Sequence, residues 1–140
     1  MFWDSSAVVP TLLPEGRSAE MTAALESDRE PMLWWGSPVE CQSAIHRRHR
    51  ESPLSSMRMG EAFHRLQALL ERGDFVAASL EVRDRAGRLL ADHPLRAGDA
   101  LQLSAALQWC GERPAGEAFV SLDDRLREAA RRAGFTVRPD

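Results

Sequence analysis

Residues 95–107 read LRAGDALQLSAAL and place one carboxylate, Asp99, at the head of a segment that otherwise has the composition of a buried helix. Leu103 and Ala106 follow Asp99 by four and seven residues, so at helical spacing all three share one face. Burial of a charged group without a partner is strongly unfavourable. The segment therefore predicts a helix whose first turn faces something that favours a negative charge.

Segments of strand and helix character alternate along the whole chain. The apolar runs of strand length are FWD at 2–4, PMLWWGS at 31–37, FVAAS at 75–79, EAFVSL at 117–122 and FTVRP at 135–139. The stretches between them carry apolar residues at helical spacing. This alternation predicts an α/β fold, with a parallel sheet and helices on both of its faces. With 140 residues, we expect a single domain over 1–140.

Local signals predict several helix starts and core positions. The sequence SPVE favours Ser37 as an N-cap, with Glu40 completing a capping box. Ser18 is expected to cap the helix that follows it. Trp34 and Trp35 stand next to each other in a strand-like run, and we expect both to be buried, as in a parallel strand covered on both faces.

Composition excludes several classes of protein. The net charge is −3, which argues against a protein that coats nucleic acid by bulk charge. No glycine-rich nucleotide-binding motif is present. No apolar run approaches the roughly 20 residues of a membrane span, and the N-terminus lacks the basic start of a secretory signal. We expect a cytoplasmic protein with no membrane partner, whose two cysteines, Cys41 and Cys110, are reduced and buried.

Four acids fall at or just after predicted strand ends. Asp4 and Asp123 close strands, and Glu40 and Asp99 lie in the first turns of helices. The carboxyl ends of parallel strands meet at one edge of a sheet, where ligands bind. A cluster of carboxylates repels unless a cation lies among them. Oxygen ligands alone suit Mg²⁺ or Mn²⁺, which can activate water for phosphoryl chemistry.

Taken one at a time, each acid also has a purely structural interpretation. Glu40 fits a capping box. Asp99 and Asp123 are first-turn carboxylates of the kind that the helix dipole favours. Asp4 can cap the turn that follows it through the sequence DSS.

Three segments resemble the PIN-domain proteins, and more narrowly the VapC-type toxins of bacterial toxin–antitoxin pairs. They are FWDSSAVVPTLLPE at 2–15, LRAGDALQLSAAL at 95–107 and FVSLDDRLREAARRAGFTV at 119–137. The resemblance implies a three-layer α/β/α sandwich with a parallel sheet of about five strands. It also implies a Mg²⁺- or Mn²⁺-dependent endoribonuclease, commonly a homodimer, that a cognate antitoxin holds inactive.

Matched by position, the resemblance assigns a role to each of the acids. Asp4, Glu40 and Asp99 would bind the metal directly or through water, and Asp123 would assist them. Ser6, beside Asp4, would orient a water or a carboxylate. The segment around Glu40 matches least closely, and the tandem Asp123-Asp124 leaves the fourth position open between two residues.

Further expectations concern the substrate and the partner. Arg47, Arg48 and Arg96 are candidates to hold the RNA backbone. The helix predicted within PLSSMRMGEAFHRLQALLERG at 53–73 and the helix before it are candidates to present an apolar groove to the antitoxin, with Leu54, Met57 and Leu66 as exposed apolar residues.

Two other functions remain open. One is a non-catalytic PIN-like binding module, since intact acids do not prove turnover. The other is a Mg²⁺-dependent phosphotransfer or phosphatase-type protein. That class normally places a lysine beside the phosphoryl group, and this chain contains no lysine.

Overall fold

The computed structural model describes residues 1–14 and 16–140 and contains one five-stranded sheet. All pairings are parallel, and the strand order is β3-β2-β1-β4-β5. The strands are β1 (Phe2–Trp3), β2 (Met32–Trp34), β3 (Asp74–Val76), β4 (Ala118–Val120) and β5 (Thr136–Arg138). The central strand β1 carries Asp4 directly after its last residue.

Seven helices connect the strands in the described residues. They are α1 (Ser5–Leu12), α2 (Ser18–Ser27), α3 (Ser37–Glu51), α4 (Ser56–Arg72), α5 (Leu80–Asp92), α6 (Ala97–Trp109) and α7 (Asp124–Ala133). The predicted order of strands and helices is confirmed. So is the α/β fold, a three-layer sandwich around a parallel sheet.

Side chains that alternate along the strands divide the core into two layers. Trp3 packs with Ile45 of α3 and Leu66 of α4 on one face of the sheet. Phe2, its neighbour in β1, packs with Leu103 of α6 on the other face. Successive residues of a strand point to opposite faces, so two adjacent apolar residues anchor both helical layers.

Two predictions of helix N-caps are wrong in detail. The N-cap of α3 is Gly36, and Ser37 is the first helical residue. The N-cap of α2 is Arg17, and the Ser18 hydroxyl donates to the carbonyl of Leu13 instead. A serine beside a helix start can satisfy other backbone groups as readily as the helix's own N–H groups.

The two adjacent tryptophans also differ from expectation. Trp34 is buried, whereas Trp35 is 63% exposed. Trp35 lies one residue past the end of β2, where alternation turns its side chain away from the layer that covers Trp34. Its backbone N–H still donates to the carbonyl of Val76 at 3.0 Å.

The apolar residues predicted to form a groove for the antitoxin are less exposed than expected. Leu66 is buried, Leu54 packs half-buried against the core, and only Met57 is largely exposed.

Cys41 is buried but Cys110 is only half-buried, and both are free thiols. In the part of the chain that the structure describes, no helix has the length and apolar character needed to cross a membrane.

Candidate active site

Asp4 sits at the end of the central strand and caps the N-terminus of α1. Its Oδ2 atom accepts hydrogen bonds from the Ser6 backbone N–H at 3.2 Å, from the Ser6 hydroxyl, and from the Ser121 hydroxyl at 3.0 Å. Only 4% of the residue is exposed. Loss of solvation outweighs the hydroxyl donors and, with the nearby charge of Glu40, raises the pKa of Asp4 to about 6.

Ser6 and Ser121 link Asp4 to the end of β4. The Ser6 hydroxyl oxygen accepts from the Leu122 backbone N–H at 2.9 Å and lies 3.2 Å from the Ser121 hydroxyl. The Ser121 hydroxyl oxygen accepts from the Asp123 backbone N–H at 3.1 Å. Neighbouring strand ends thus fix the carboxylate of Asp4 in one orientation.

Glu40 lies in the first turn of α3 and faces the start of α1. Its Oε2 atom accepts from the Ser5 hydroxyl at 2.5 Å and from Gln102 Nε2 at 3.0 Å. Gln102 Nε2 also lies within hydrogen-bond distance of the hydroxyl oxygens of Ser5, at 2.9 Å, and Ser37, at 3.2 Å. The capping-box interpretation of Glu40 is therefore wrong, because its carboxylate bonds to α1 and α6 rather than to its own helix.

Asp99 and Asp123 hold helix starts in place. Asp99 is half-buried, and its Oδ2 accepts from the backbone N–H of Arg96 at 3.1 Å. Asp123 is the N-cap of α7, and its Oδ1 accepts from the Leu126 N–H at 2.9 Å. Asp99 precedes Gln102 by three residues in α6, so it lies one turn from the residue that bonds Glu40.

The structure brings two of the four predicted acids into electrostatic contact. The charge of Glu40 acts on Asp4, while the carboxylates of Asp99 and Asp123 bond to backbone groups of their own segments. Across residues 1–14 and 16–140, no three acidic, histidine or cysteine side chains are grouped closely enough to hold a metal ion. The expected cluster of four carboxylates is therefore reduced to the pair Asp4 and Glu40, whose charges interact.

The donor set of this pair fits a hard divalent cation. In Asp4 and in Glu40 one carboxylate oxygen takes all the hydrogen bonds made with the described residues, which leaves the second oxygen without one. Mg²⁺ in proteins is commonly bound through one or two carboxylates, with waters and substrate phosphates completing its shell. Two coupled acids with one unshared oxygen each meet that requirement.

The buried thiol beside Glu40 does not add a soft ligand. Burial, with smaller contributions from the charges of Glu40 and Asp4, raises the pKa of Cys41 to about 12. The thiolate is the form that binds metals, so Cys41 remains neutral and unsuited to that role. The ligands that this site can offer a metal ion are therefore oxygen atoms.

The predicted arginines have different environments. Arg47 and Arg96 are exposed, whereas Arg48 is half-buried and donates to the carbonyl of Ser52 at 3.2 Å. A buried arginine that the sequence did not single out, Arg127, donates to the carbonyls of Ser121 at 2.7 Å and Pro139 at 2.6 Å. It fixes the backbone of the strand end that supplies the Ser121 hydroxyl.

The sequence did not single out Gln102, Ser5 or Ser121 as site residues, and it assigned Ser37 only the role of an N-cap. Each is a buried polar residue within or beside an apolar segment. A polar residue inside an apolar segment is expected to be buried, and a buried polar group needs a hydrogen-bond partner. The position of these residues within apolar segments is therefore the sequence signal that could have identified them. Gln102 in particular interrupts the apolar face that begins at Asp99.

A cavity of about 590 Å³ lies elsewhere, between α1, α2 and α4. Leu13, Leu25 and Leu69 line it together with Arg65 and Arg72. The acids described above and Ser6 are absent from its described lining. This cavity and the carboxylate pair therefore lie at different places in the molecule.

No family model matches the chain, and no curated protein matches it significantly. Among solved structures, the chain is similar to Mycobacterium tuberculosis VapC20, a sarcin–ricin loop cleaving toxin. The TM-score is 0.64 at 17% sequence identity, over 99% of this chain and 98% of that one. At this identity the likeness shows a shared fold. The chain therefore has a VapC-like fold along nearly its whole length, as the sequence resemblance implied.

Proposed function

We propose that this chain is a metal-dependent endoribonuclease and the toxin of a type II toxin–antitoxin pair. The observation that carries the proposal is the coupled pair Asp4 and Glu40 at the carboxyl edge of the sheet. The likeness to a toxin that cleaves the sarcin–ricin loop supports it, because that toxin has the same fold over its full length. Clustered oxygen ligands at a strand edge suit a cation that handles phosphate.

In this proposal the carboxylates of Asp4 and Glu40 would hold Mg²⁺ or Mn²⁺, Asp99 would bind it directly or through water, and Asp123 would assist them. Such an ion would supply a water of lowered pKa and would stabilise charge on the phosphoryl group. Ser6 and Ser121 keep one oxygen of Asp4 occupied, so the other is directed away from them. Ser5 and Gln102 do the same for Glu40.

The remaining parts of the proposal concern partners and location. We propose an RNA substrate, a cognate antitoxin, a homodimeric state and a cytoplasmic location. Expression of the chain alone is then expected to slow growth, and co-expression with the adjacent small open reading frame is expected to restore it. Harmless expression of a soluble, active chain would contradict the toxin role without contradicting the nuclease.

The nuclease is tested by incubating the purified protein with RNA in Mg²⁺, in Mn²⁺ and in EDTA. We expect cleavage with either ion, none in EDTA, and cleavage about a thousandfold slower from Asp4→Asn. Asp92→Asn is the matched control, since Asp92 is an exposed acid at the end of α5. Metal and RNA binding without cleavage would instead establish the non-catalytic module.

A further inference from the structure

One face of α3 is exposed along its length, and an exposed tryptophan precedes the helix in the chain. Trp35, just before the helix, is 63% exposed, and Val39 in the first turn is 67% exposed. Ser37, Cys41 and Ile45 lie on the opposite, buried face. Glu40 is half-exposed at the border of the two faces, so the exposed face starts beside a proposed catalytic acid.

The indole of Trp35 rests on a fixed support. Its backbone N–H is bonded to the carbonyl of Val76, and its ring meets the buried ring of Trp34 edge-on at 6.4 Å between centroids. Trp34 in turn packs against the backbone at Gly36, where an added Cβ would approach its Nε1 to 2.6 Å. An aromatic surface that is already ordered loses little freedom when a ligand stacks on it.

The rest of the exposed face is polar and then basic. After Val39 the exposed positions of α3 recur at helical spacing and are Gln42, Ser43, His46, Arg47 and Arg50. From Val39 to Arg50 the helix rises about 16 Å. Glu40 is half-exposed at the border of this face and Glu51 is the last residue of α3, whereas the exposed positions from Val39 to Arg50 include no acid.

We propose that this face of α3 binds an unpaired stretch of RNA. A base stacks on Trp35, and the phosphates follow the helix to Arg47 and Arg50. The inference rests on the proposed function, since it names the surface by which the same site receives its strand. Aromatic platforms combined with basic side chains along one track are the usual means of holding single strands.

The composition of the face favours RNA over a protein helix. A partner helix needs apolar anchors that continue over several turns. Here Trp35 and Val39 are followed by polar and cationic side chains only, and the guanidinium groups of Arg47 and Arg50 complement phosphate. The charge on this face opposes the net charge of the chain, so attraction of a polyanion is local.

Binding is measured by fluorescence anisotropy with a labelled, unstructured RNA of about 12 nucleotides, in EDTA so that no cleavage intervenes. We expect Trp35→Ala to weaken binding by about 5- to 150-fold and Trp35→Phe to retain most of it. The matched control is Leu80→Ala, since Leu80 is also 63% exposed but lies on α5, and it should bind as the wild type does.

The arginines are tested separately through salt dependence. Replacing Arg47 and Arg50 together by Gln should lower the slope of log affinity against log salt by about 1.4, at about 0.7 for each phosphate contact. Trp35→Ala should leave that slope unchanged, because stacking releases no counterions. The same double replacement at Arg83 and Arg88, exposed on α5, is the control for charge alone.

The inference is overturned if the wild type does not bind the RNA, if Trp35→Ala binds as tightly as the wild type, or if the two arginine pairs behave alike. It is also overturned if Trp35→Ala weakens a protein partner but not RNA. Because this assay contains no metal, absence of cleavage in Mg²⁺ or Mn²⁺ would contradict the proposed function alone.

Discussion

Asp4 and Asp99 both lie at the starts of helices, yet the protein treats them in opposite ways. Asp4 is 4% exposed, and its pKa is raised to about 6 chiefly by burial. Asp99 is half-buried and bonds one backbone N–H of its own helix start. A carboxylate at the start of a helix normally stabilises it. At Asp4 desolvation exceeds that benefit, which marks a group that is kept for something other than stability.

The largest effect is expected for Asp4→Asn. Cleavage should fall by about a thousandfold, as for loss of a group that acts on the developing charge. The metal-free protein should gain on the order of 1 kcal/mol, or about 3 °C in Tm, because a buried charge is removed. Asp92→Asn should change neither quantity. Unchanged activity with a lowered Tm would make Asp4 a structural cap only.

The pH dependence of stability should reveal the same group. The unfolded chain releases the proton of Asp4 near 3.8 and the folded chain releases it near 6, so the folded state holds more protons between these values. The free energy of unfolding therefore falls as pH rises through this window, by up to about 3 kcal/mol relative to Asp4→Asn. Urea denaturation of both proteins at several pH values measures the difference. Parallel curves would contradict the raised pKa.

The sequence predicted the fold well because strand and helix patterns are local. It placed every strand and helix, and it placed Asp4 beside Ser6 at the end of the first strand. It did not distinguish Asp4 from Asp99, since burial depends on what distant segments cover. The partners of Glu40 were also out of reach, because Ser5 and Gln102 lie 35 and 62 residues away along the chain.

Gln102 resembles Asp4 in one respect, since it too is a buried polar group that lowers the stability of the fold. Its Nε2 bonds Glu40, Ser5 and Ser37, but its buried Oε1 has no partner among the described residues. The amide cannot turn over, because Oε1 would then meet the carboxylate of Glu40. An unpaired buried carbonyl is unfavourable by about 1–3 kcal/mol.

Gln102→Met removes both the donor to Glu40 and the unpaired oxygen. We expect Tm to stay level or rise, and affinity for Mn²⁺, measured by calorimetry, to fall about tenfold, which is about 1.4 kcal/mol. Cleavage should fall with it. Gln67→Met, at an exposed position of α4, is the matched control. A lower Tm with wild-type Mn²⁺ affinity would show that Gln102 has a packing role only.

Asp123 and Asp124 test whether a capping acid can also serve the site. Asp123 bonds the Leu126 N–H as the N-cap of α7, and Asp124 is exposed. Asp123→Ala should lower stability by about 1 kcal/mol, and Asp124→Ala by less. In the cleavage assay Asp123→Ala should also show the larger loss. Equal losses, or a larger one at Asp124, would contradict the assignment of the fourth acid.

The last prediction concerns Asp99→Asn, whose small expected effect on stability is opposite in sign to that of Asp4→Asn. Asp99→Asn keeps an oxygen for the Arg96 N–H but loses the charge that favours the start of α6. Stability should therefore fall by about 0.3–1 kcal/mol, opposite to the gain expected for Asp4→Asn. Urea denaturation of the two variants in EDTA measures both signs in one experiment. A gain for Asp99→Asn would place its carboxylate within the field of Asp4 and Glu40. A loss accompanied by reduced Mn²⁺ affinity would show that one residue both caps α6 and supports the metal.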